Sequence, residues 1–404
     1  MTKEEEHIVV KEKAFHHAIT GLLIHSYTGL KEWKNAKVDS DPLLIYDLNG
    51  QPLFYEFSVI KANRKIGLMK IAANKVLGSS VITAELDPRE WNLSDVQERI
   101  EKIISDKYPS MEITSIRLVC YDFPKLGMFV ILKEPKTKET KVRLLFDILT
   151  IETVPLEPRS VWSLIERIKY KDRPDNLARW ESEDKLVQIL RKEADLCNLD
   201  FEKQGNPDPE FLTVMERKLG AIIKVDNYLF PDNWITSKEL NITPQLKGGG
   251  EQDMSATAAL KMILDFFGFT DTQEQIQDTL FETTAYHINT ITTRMREHYN
   301  IELEHDSSPT FNETVSEIRA NRPILEFGSN QQTVATFKVA VVCGGYKYHN
   351  TIIEVEDHFF HFTNNHFVKI WVPREITCDD FWISWRLMEQ FFYSELHSIY
   401  FRPL

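Results

Sequence analysis

The stretch Asp41 to Ile60, "DPLLIYDLNGQPLFYEFSVI", constrains the fold more than any other part of the chain. Two runs rich in aliphatic and aromatic residues flank Asn49-Gly50, a pair that accepts positive φ at both central turn positions. The runs must therefore fold back as antiparallel neighbours. "KIGLMKIAA" and "SSVITAEL" extend this sheet, and "SIRLVCYDF", "GMFVILKE" and "KVRLLFDILTIETV" continue it as further strands. Helices are predicted over 7–25, before the hairpin, and over 94–107, between the strands. Residues 1–155 thus read as an α+β domain.

The pattern then changes. From 156 to 233 the chain carries charged segments of helical period, "SVWSLIERI" and "DKLVQILRKEADL", broken at "YKDRPDN" and "GNPDPE". This stretch reads as a helical connector. Residues 234–404 run through helical segments, "SATAALKMILDFFG", "TQEQIQDTLF", "NTITTRMREHY" and "NETVSEIRA". The strands "PILEFG", "FKVAVVCGGY" and "TIIEVEDHFFHF" follow, so a long helix packed on an antiparallel sheet makes this domain α+β as well. A chain of 404 residues exceeds one ordinary core, which agrees with such a division.

Composition excludes several classes of function. A formal net charge of −13 opposes tracking of nucleic-acid phosphates, which needs a concentrated basic surface. The start "MTKEEEHIVVKEK" lacks the apolar segment of a signal peptide, and no apolar run reaches membrane-spanning length. Cys120, Cys197, Cys343 and Cys378 form no CxxC pair and suit free thiols in a reducing compartment. The expectation is a cytoplasmic protein with no membrane or nucleic-acid partner, no metal and no cofactor. His349, His358, His361 and His366 raise a metal question, but His358 and His361 are an odd number of strand positions apart and face opposite sides.

The chemistry centres on "GGGEQDMSATAALKMILDFFG", residues 248–268. Glycines precede a capping position at Asp253, small residues follow, and Gly268 closes the helix. Such a helix start gathers free backbone donors and positive dipole, the setting of a nucleophile. "KGGGEQ" lacks the Gly-Lys-Ser/Thr ending of a phosphate loop, so its glycines are read as allowing backbone to approach a cleft.

In this setting, "MSATAALKMIL", "ANRPILEFG", "FKVAVVCGGY" with "IIEVED", and "EITCDDFWISW" occur in the order found in papain-like cysteine peptidases. Residues 234–404 resemble that superfamily, especially streptopain and the double-glycine leader peptidases. "LFYEFSVIKANRKIGLMKIAANKVLGSSV" resembles the pro-domain of streptopain-type enzymes. The resemblance implies a papain-like domain preceded by a pro-domain-like module. It places the nucleophile at Met254 or Ser255, the general base at Val339 beside Lys338, and the orienting acid at Asp357. The oxyanion glutamine is out of step, with Gln252 too close to the helix start and Gln245 too far from it.

A thiolate must be formed and held by an imidazolium, and a proton must later reach the leaving amine. Valine can do neither. The chain is therefore expected to be a pseudopeptidase that binds an extended peptide or protein through Gly249, Gly250, Gln252, Asp253, Ser255 and Lys338, with its N-terminal domain docked on the C-terminal one. The alternative is a hydrolase or acyltransferase with Ser255 as nucleophile and Asp357 in support. Against it, Lys338 and Val339 are adjacent on a strand and point to opposite sides. A third reading is a scaffold whose own N-terminal domain closes the cleft. The plainer readings are Ser255 bonding to its own helix start, Met254 as core packing and Cys343 as an inert core thiol.

Overall fold

The computed structural model describes residues 7–27, 30–86, 91–135, 140–156, 161, 163–168, 172–196, 224–225, 235–237, 240, 255–281, 288–328, 340–355, 358–373, 378–391 and 396–404. The chain is α+β and divides into two compact units, Met1–Leu219 and Gly220–Leu404.

In the first unit, α1 (Lys11–Tyr27) precedes β1 (Lys37–Val38), β2 (Leu43–Asp47), β3 (Pro52–Lys61), β4 (Arg64–Ala72) and β5 (Val81–Leu86). After these come α2 (Leu93–Lys107), β6 (Glu112–Asp122), β7 (Lys125–Lys133) and β8 (Thr140–Asp147). The sheet runs β5-β4-β3-β2-β6-β7-β8, with β1 beside β3. Its ladders are antiparallel except β2 with β6. Gly50 has φ 86° in the β2–β3 turn, the left-handed conformation that the Asn-Gly pair supplies. Helix α1 starts later than residue 7 because Val9 donates its N–H to the Ala73 carbonyl, 2.9 Å away, and holds that stretch extended.

One face of β3–β5 carries Phe57, Met69 and Ala84, joined by register. Helix α1 covers it, with the Phe15 and Phe57 rings 6.0 Å apart. A Cβ at Gly21 would lie 2.8 Å from Met69 Sδ, so this close approach requires glycine. Trp33 and Phe57 are buried on this face, whereas Phe54 is buried on the other, its ring centroid 6.0 Å from that of Phe123; each phenylalanine side chain contributes about 1.5–3 kcal/mol on leaving water.

Helices α3 (Leu164–Arg167) and α4 (Arg173–Leu196) lie in the stretch that reads as a connector, yet they belong to the first unit. Ser163 caps α3 and also donates to Asp47, whose other oxygen accepts from Leu164 N–H at 2.9 Å. Burial, only partly offset by these bonds, pushes the Asp47 carboxyl up to about 6. On α4, Asn176 donates to the Val76 carbonyl at 2.7 Å, and Glu183 accepts from Ser80 N–H at 2.5 Å. Asp184 accepts from Lys13 at 2.8 Å and pairs with His17 at 3.2 Å, both on α1. These bonds join α4 to the core, as a tether between domains would not.

The second unit contains β9 (Lys224–Val225), β10 (Ile235–Ser237), α5 (Ser255–Phe266), α6 (Gln273–Leu280), α7 (Ile288–Tyr299), β11 (Ile301–Asp306) and α8 (Phe311–Arg319). It continues with β12 (Ile324–Gly328), β13 (Ala340–Val355), β14 (His358–Pro373), β15 (Cys378–Ser384), α9 (Trp385–Phe391) and β16 (Leu396–Pro403). Its antiparallel sheet runs β11-β16-β12-β13-β14-β15, and β10 and β9 continue along β13 beyond β12. Leu325, Phe327, Val342, Ile399 and Phe401 form a buried apolar cluster with Ala259, Leu260 and Ile263 of α5, Ile276 of α6 and Met295 of α7. Thr272 and Thr310 close capping boxes that start α6 and α8.

Candidate functional site

Helix α5 begins at Ser255, within the stretch that resembles a nucleophile helix, and packs on β12, β13 and β14. Its buried Ala256, Ala258, Ala259 and Leu260 explain the run of small residues, since only short side chains let the helix lie close to the sheet. At the other end Gly268 has φ 92°, and Phe269 N–H bonds to the Leu264 carbonyl at 3.0 Å, which ends the helix. Thr257 Oγ1 lies 2.7 Å from Gln277 of α6 and fixes the first turn laterally.

Of the residues expected at the site, Gly249, Gly250, Gln252, Asp253, Met254, Lys338, Val339 and Asp357 lie outside the described residues. The Ser255 backbone opens α5, and its side chain is also outside the description. What is described is the frame: the helix that starts at Ser255, and strands β12 and β13, which flank 329–339 in the chain.

Cys343 lies on that frame. It sits opposite Ile324 in the β12–β13 register, on the same face as Glu326, and is fully buried. Burial first, and the nearby Glu326 second, push its thiol well above the usual range. His397 sits opposite Phe327, on the other face, where its Nδ1 is 3.1 Å from Nε2 of His305. The Phe327 ring stacks on His397 at 5.1 Å. Cys343 and these two imidazoles are therefore on opposite sides of the sheet and form no thiolate–imidazolium pair.

The four histidines 349, 358, 361 and 366 lie on β13 and β14. Their register partners are Asn365, Val355, Ile352 and Tyr348, so no two of them face each other across the ladder.

A second polar group on this frame is not apparent from the motifs. Glu326 has no exposed surface and accepts from Ser398 Oγ at 2.5 Å, its register partner on β16. Among the described residues its Oε1 has no hydrogen-bond partner. Burial, opposed by the Ser398 bond and reinforced by Asp306, raises the carboxyl to about 8. Tyr400 shares the face, 3.4 Å from Asp306 Oδ2, and its hydroxyl is pushed up by burial and by Glu326, Asp306 and Glu313. Helix α8 covers this side: Glu317 is bonded by Arg402 of β16, and Arg319 donates to the Tyr346 hydroxyl at 2.9 Å. A sequence signal existed. Phe311, Val315 and Ile318 make an apolar stripe on α8, so whatever strand face that helix covers must be buried, Glu326 included. A carboxyl so enclosed reaches no substrate; its chemistry is gain and loss of a proton.

No protein-family model matches the chain, and neither does any curated protein. Among solved structures it is similar to the crystal structure of UfSP from C. elegans, at 11% sequence identity and a TM-score of 0.26. That match covers 68% of this chain and 62% of the other, so the chain spans less than two thirds of that structure's length. The functional reading rests on the chain's own residues.

Proposed function

We propose that the second unit is a papain-like pseudopeptidase module that binds an extended peptide or protein segment without cleaving it. The observation that carries this reading is the residue set at the positions the resemblance assigns to catalysis: Met254 or Ser255 where a cysteine is required, and Val339 where the histidine is required. Two features support it. A helix that starts at Ser255 packs on an antiparallel sheet, and Cys343, the cysteine of the matching strand, is enclosed and across the sheet from His397. A cleft that holds a peptide through backbone hydrogen bonds keeps affinity without a nucleophile.

The test is a peptidyl electrophile directed at thiol peptidases, followed by adduct mapping. The expected result is no stoichiometric adduct, Cys343 included; full labelling of one cysteine at the rate of an active enzyme overturns the reading. The same reading includes docking of the pro-domain-like first unit on the second. Calorimetry of the full chain should then give one coupled transition, and two independent transitions contradict the docking.

A further inference from the structure

We propose that Glu326 is a proton-operated lock on the second unit: with its carboxyl protonated, α8 and the β11–β16 edge close over it, and loss of the proton loosens them.

The geometry leaves the charged form of Glu326 with little support. Its one hydrogen bond among the described residues comes from the Ser398 hydroxyl, and its second oxygen is enclosed and without a partner. A carboxylic acid tolerates such a place because it needs less hydration than a carboxylate. The groups facing it from each packed element are mostly acidic. On β11 it meets Asp306, with Glu304, the register partner of Tyr400, on the same face; on β16, Tyr400; on β13, Cys343. From α8, Glu313 acts on the same Tyr400 hydroxyl.

The described arginines on this side are engaged elsewhere. Arg402 bonds Glu317 at 3.0 Å and Glu304 at 2.9 Å, Arg322 bonds Glu317 at 2.7 Å, and Arg319 bonds Tyr346. His305 and His397 lie on the opposite face. A new negative charge at Glu326 therefore meets Asp306 and two enclosed acidic hydrogens, with no free cation among the described residues to answer it. Thr314 of α8, fully buried, also has a hydroxyl without a partner among the described residues. Loosening α8 would admit water to both groups and lower the cost of ionisation.

The sign follows from linkage. Glu326 goes from its ordinary 4.5 to about 8 in the folded unit. Its protonated form thus contributes stability that is fully present below 4.5 and is lost progressively as pH rises to about 8. Beyond that both states are ionised and the loss levels off.

Hydrogen exchange of the full chain between pH 5.5 and 8.5, corrected for intrinsic base catalysis, tests the lock. Peptides from 301–306, 311–319 and 396–403 should show opening constants that rise by up to about tenfold per pH unit until pH 8. Peptides from 52–72 in the first unit should not follow that rise. In Glu326→Gln, which cannot ionise, the rise in the three segments should vanish. If the variant does not fold, the wild-type comparison still decides. Equal pH dependence in both units, or a rise that persists in a folded Glu326→Gln, overturns the proposal.

Discussion

In the first unit the Lys70 ammonium lies 3.0 Å from a carboxylate oxygen of Glu56 and 3.0 Å from one of Glu85, whereas in the second unit the described partner of Glu326 is the Ser398 hydroxyl. Both centres are buried. Burial alone would strip the proton from Lys70, but the two carboxylates outweigh it and hold that proton more firmly than water does. Glu326 has no opposite charge beside it among the described residues, and the cost of burial favours its protonated form. The first solution is a permanent ion cluster, insensitive to pH near neutrality. The second leaves a group that titrates in that range, so the units should differ most in how they respond to losing a charge and to changing pH.

The largest effect is expected from Lys70→Met. It leaves Glu56 and Glu85 facing each other in a buried place and should cost about 3–5 kcal/mol in denaturant unfolding followed on the first unit. Removing both carboxylates as well, with Glu56→Gln and Glu85→Gln, should recover much of that loss. If the single change costs nothing, the ion cluster is not what holds β3, β4 and β5 together.

A smaller loss, about 1–3 kcal/mol, is expected for Asn176→Ala, which leaves the buried Val76 carbonyl without its donor. Gly78→Ala should cost about 1–2 kcal/mol in the same assay. Gly78 has φ 77°, and a Cβ there would lie 2.6 Å from Asn176 Oδ1. Both substitutions test whether α4 is part of the first core. If neither moves the midpoint, the contrast between an integrated helix and a connector fails.

The pH comparison is the most discriminating. Burial would raise Asp184, but the bonds from His17 and Lys13 outweigh it and bring the carboxyl to about 2. Its contribution is present above 3.8 and is lost as pH falls through about 2. Asp47 shares the sign of Glu326 but over a narrower window, from 3.8 to about 6. Acidification below pH 4 should therefore loosen α4 on α1. Between pH 6.5 and 8 the stability change should fall on the second unit. Segment-resolved exchange at pH 3, 6.5 and 8 checks both limbs, and a uniform response at all three merges the two units into one behaviour.

Local signals made much of the fold legible. Asn49-Gly50 marks the β2–β3 hairpin, but the turn differs from the expected two-residue one: Leu48 and Asn49 are its centre, closed by Gly50 N–H on the Asp47 carbonyl at 2.9 Å, and only Gly50 takes positive φ. The helical period of 94–107 places α2 to within a residue. The sequence marks α4 as a helix but gives no sign that it belongs with the first unit. The bonds that place it, Asn176 to Val76 and Glu183 to Ser80, join residues about a hundred positions apart and leave no periodic trace. Glu326 was hidden for a related reason. A glutamate in a short apolar strand reads as the solvent side, and only the helix packed on that side by Arg402–Glu317 encloses it. Of the site itself, the small-residue stripe announced the helix that starts at Ser255, while its chemistry depends on segments distant in sequence.

On the function proposed above, the second unit holds peptides without cutting them. The most direct measurement incubates the full chain with a complex mixture of peptides, isolates what stays bound, and reads bound and free peptides for new termini by mass spectrometry. Enrichment of intact peptides with no new termini is expected, for the wild-type chain and for Ser255→Ala alike. New termini that appear with the wild-type chain and disappear in Ser255→Ala would contradict it, and would make the unit a hydrolase.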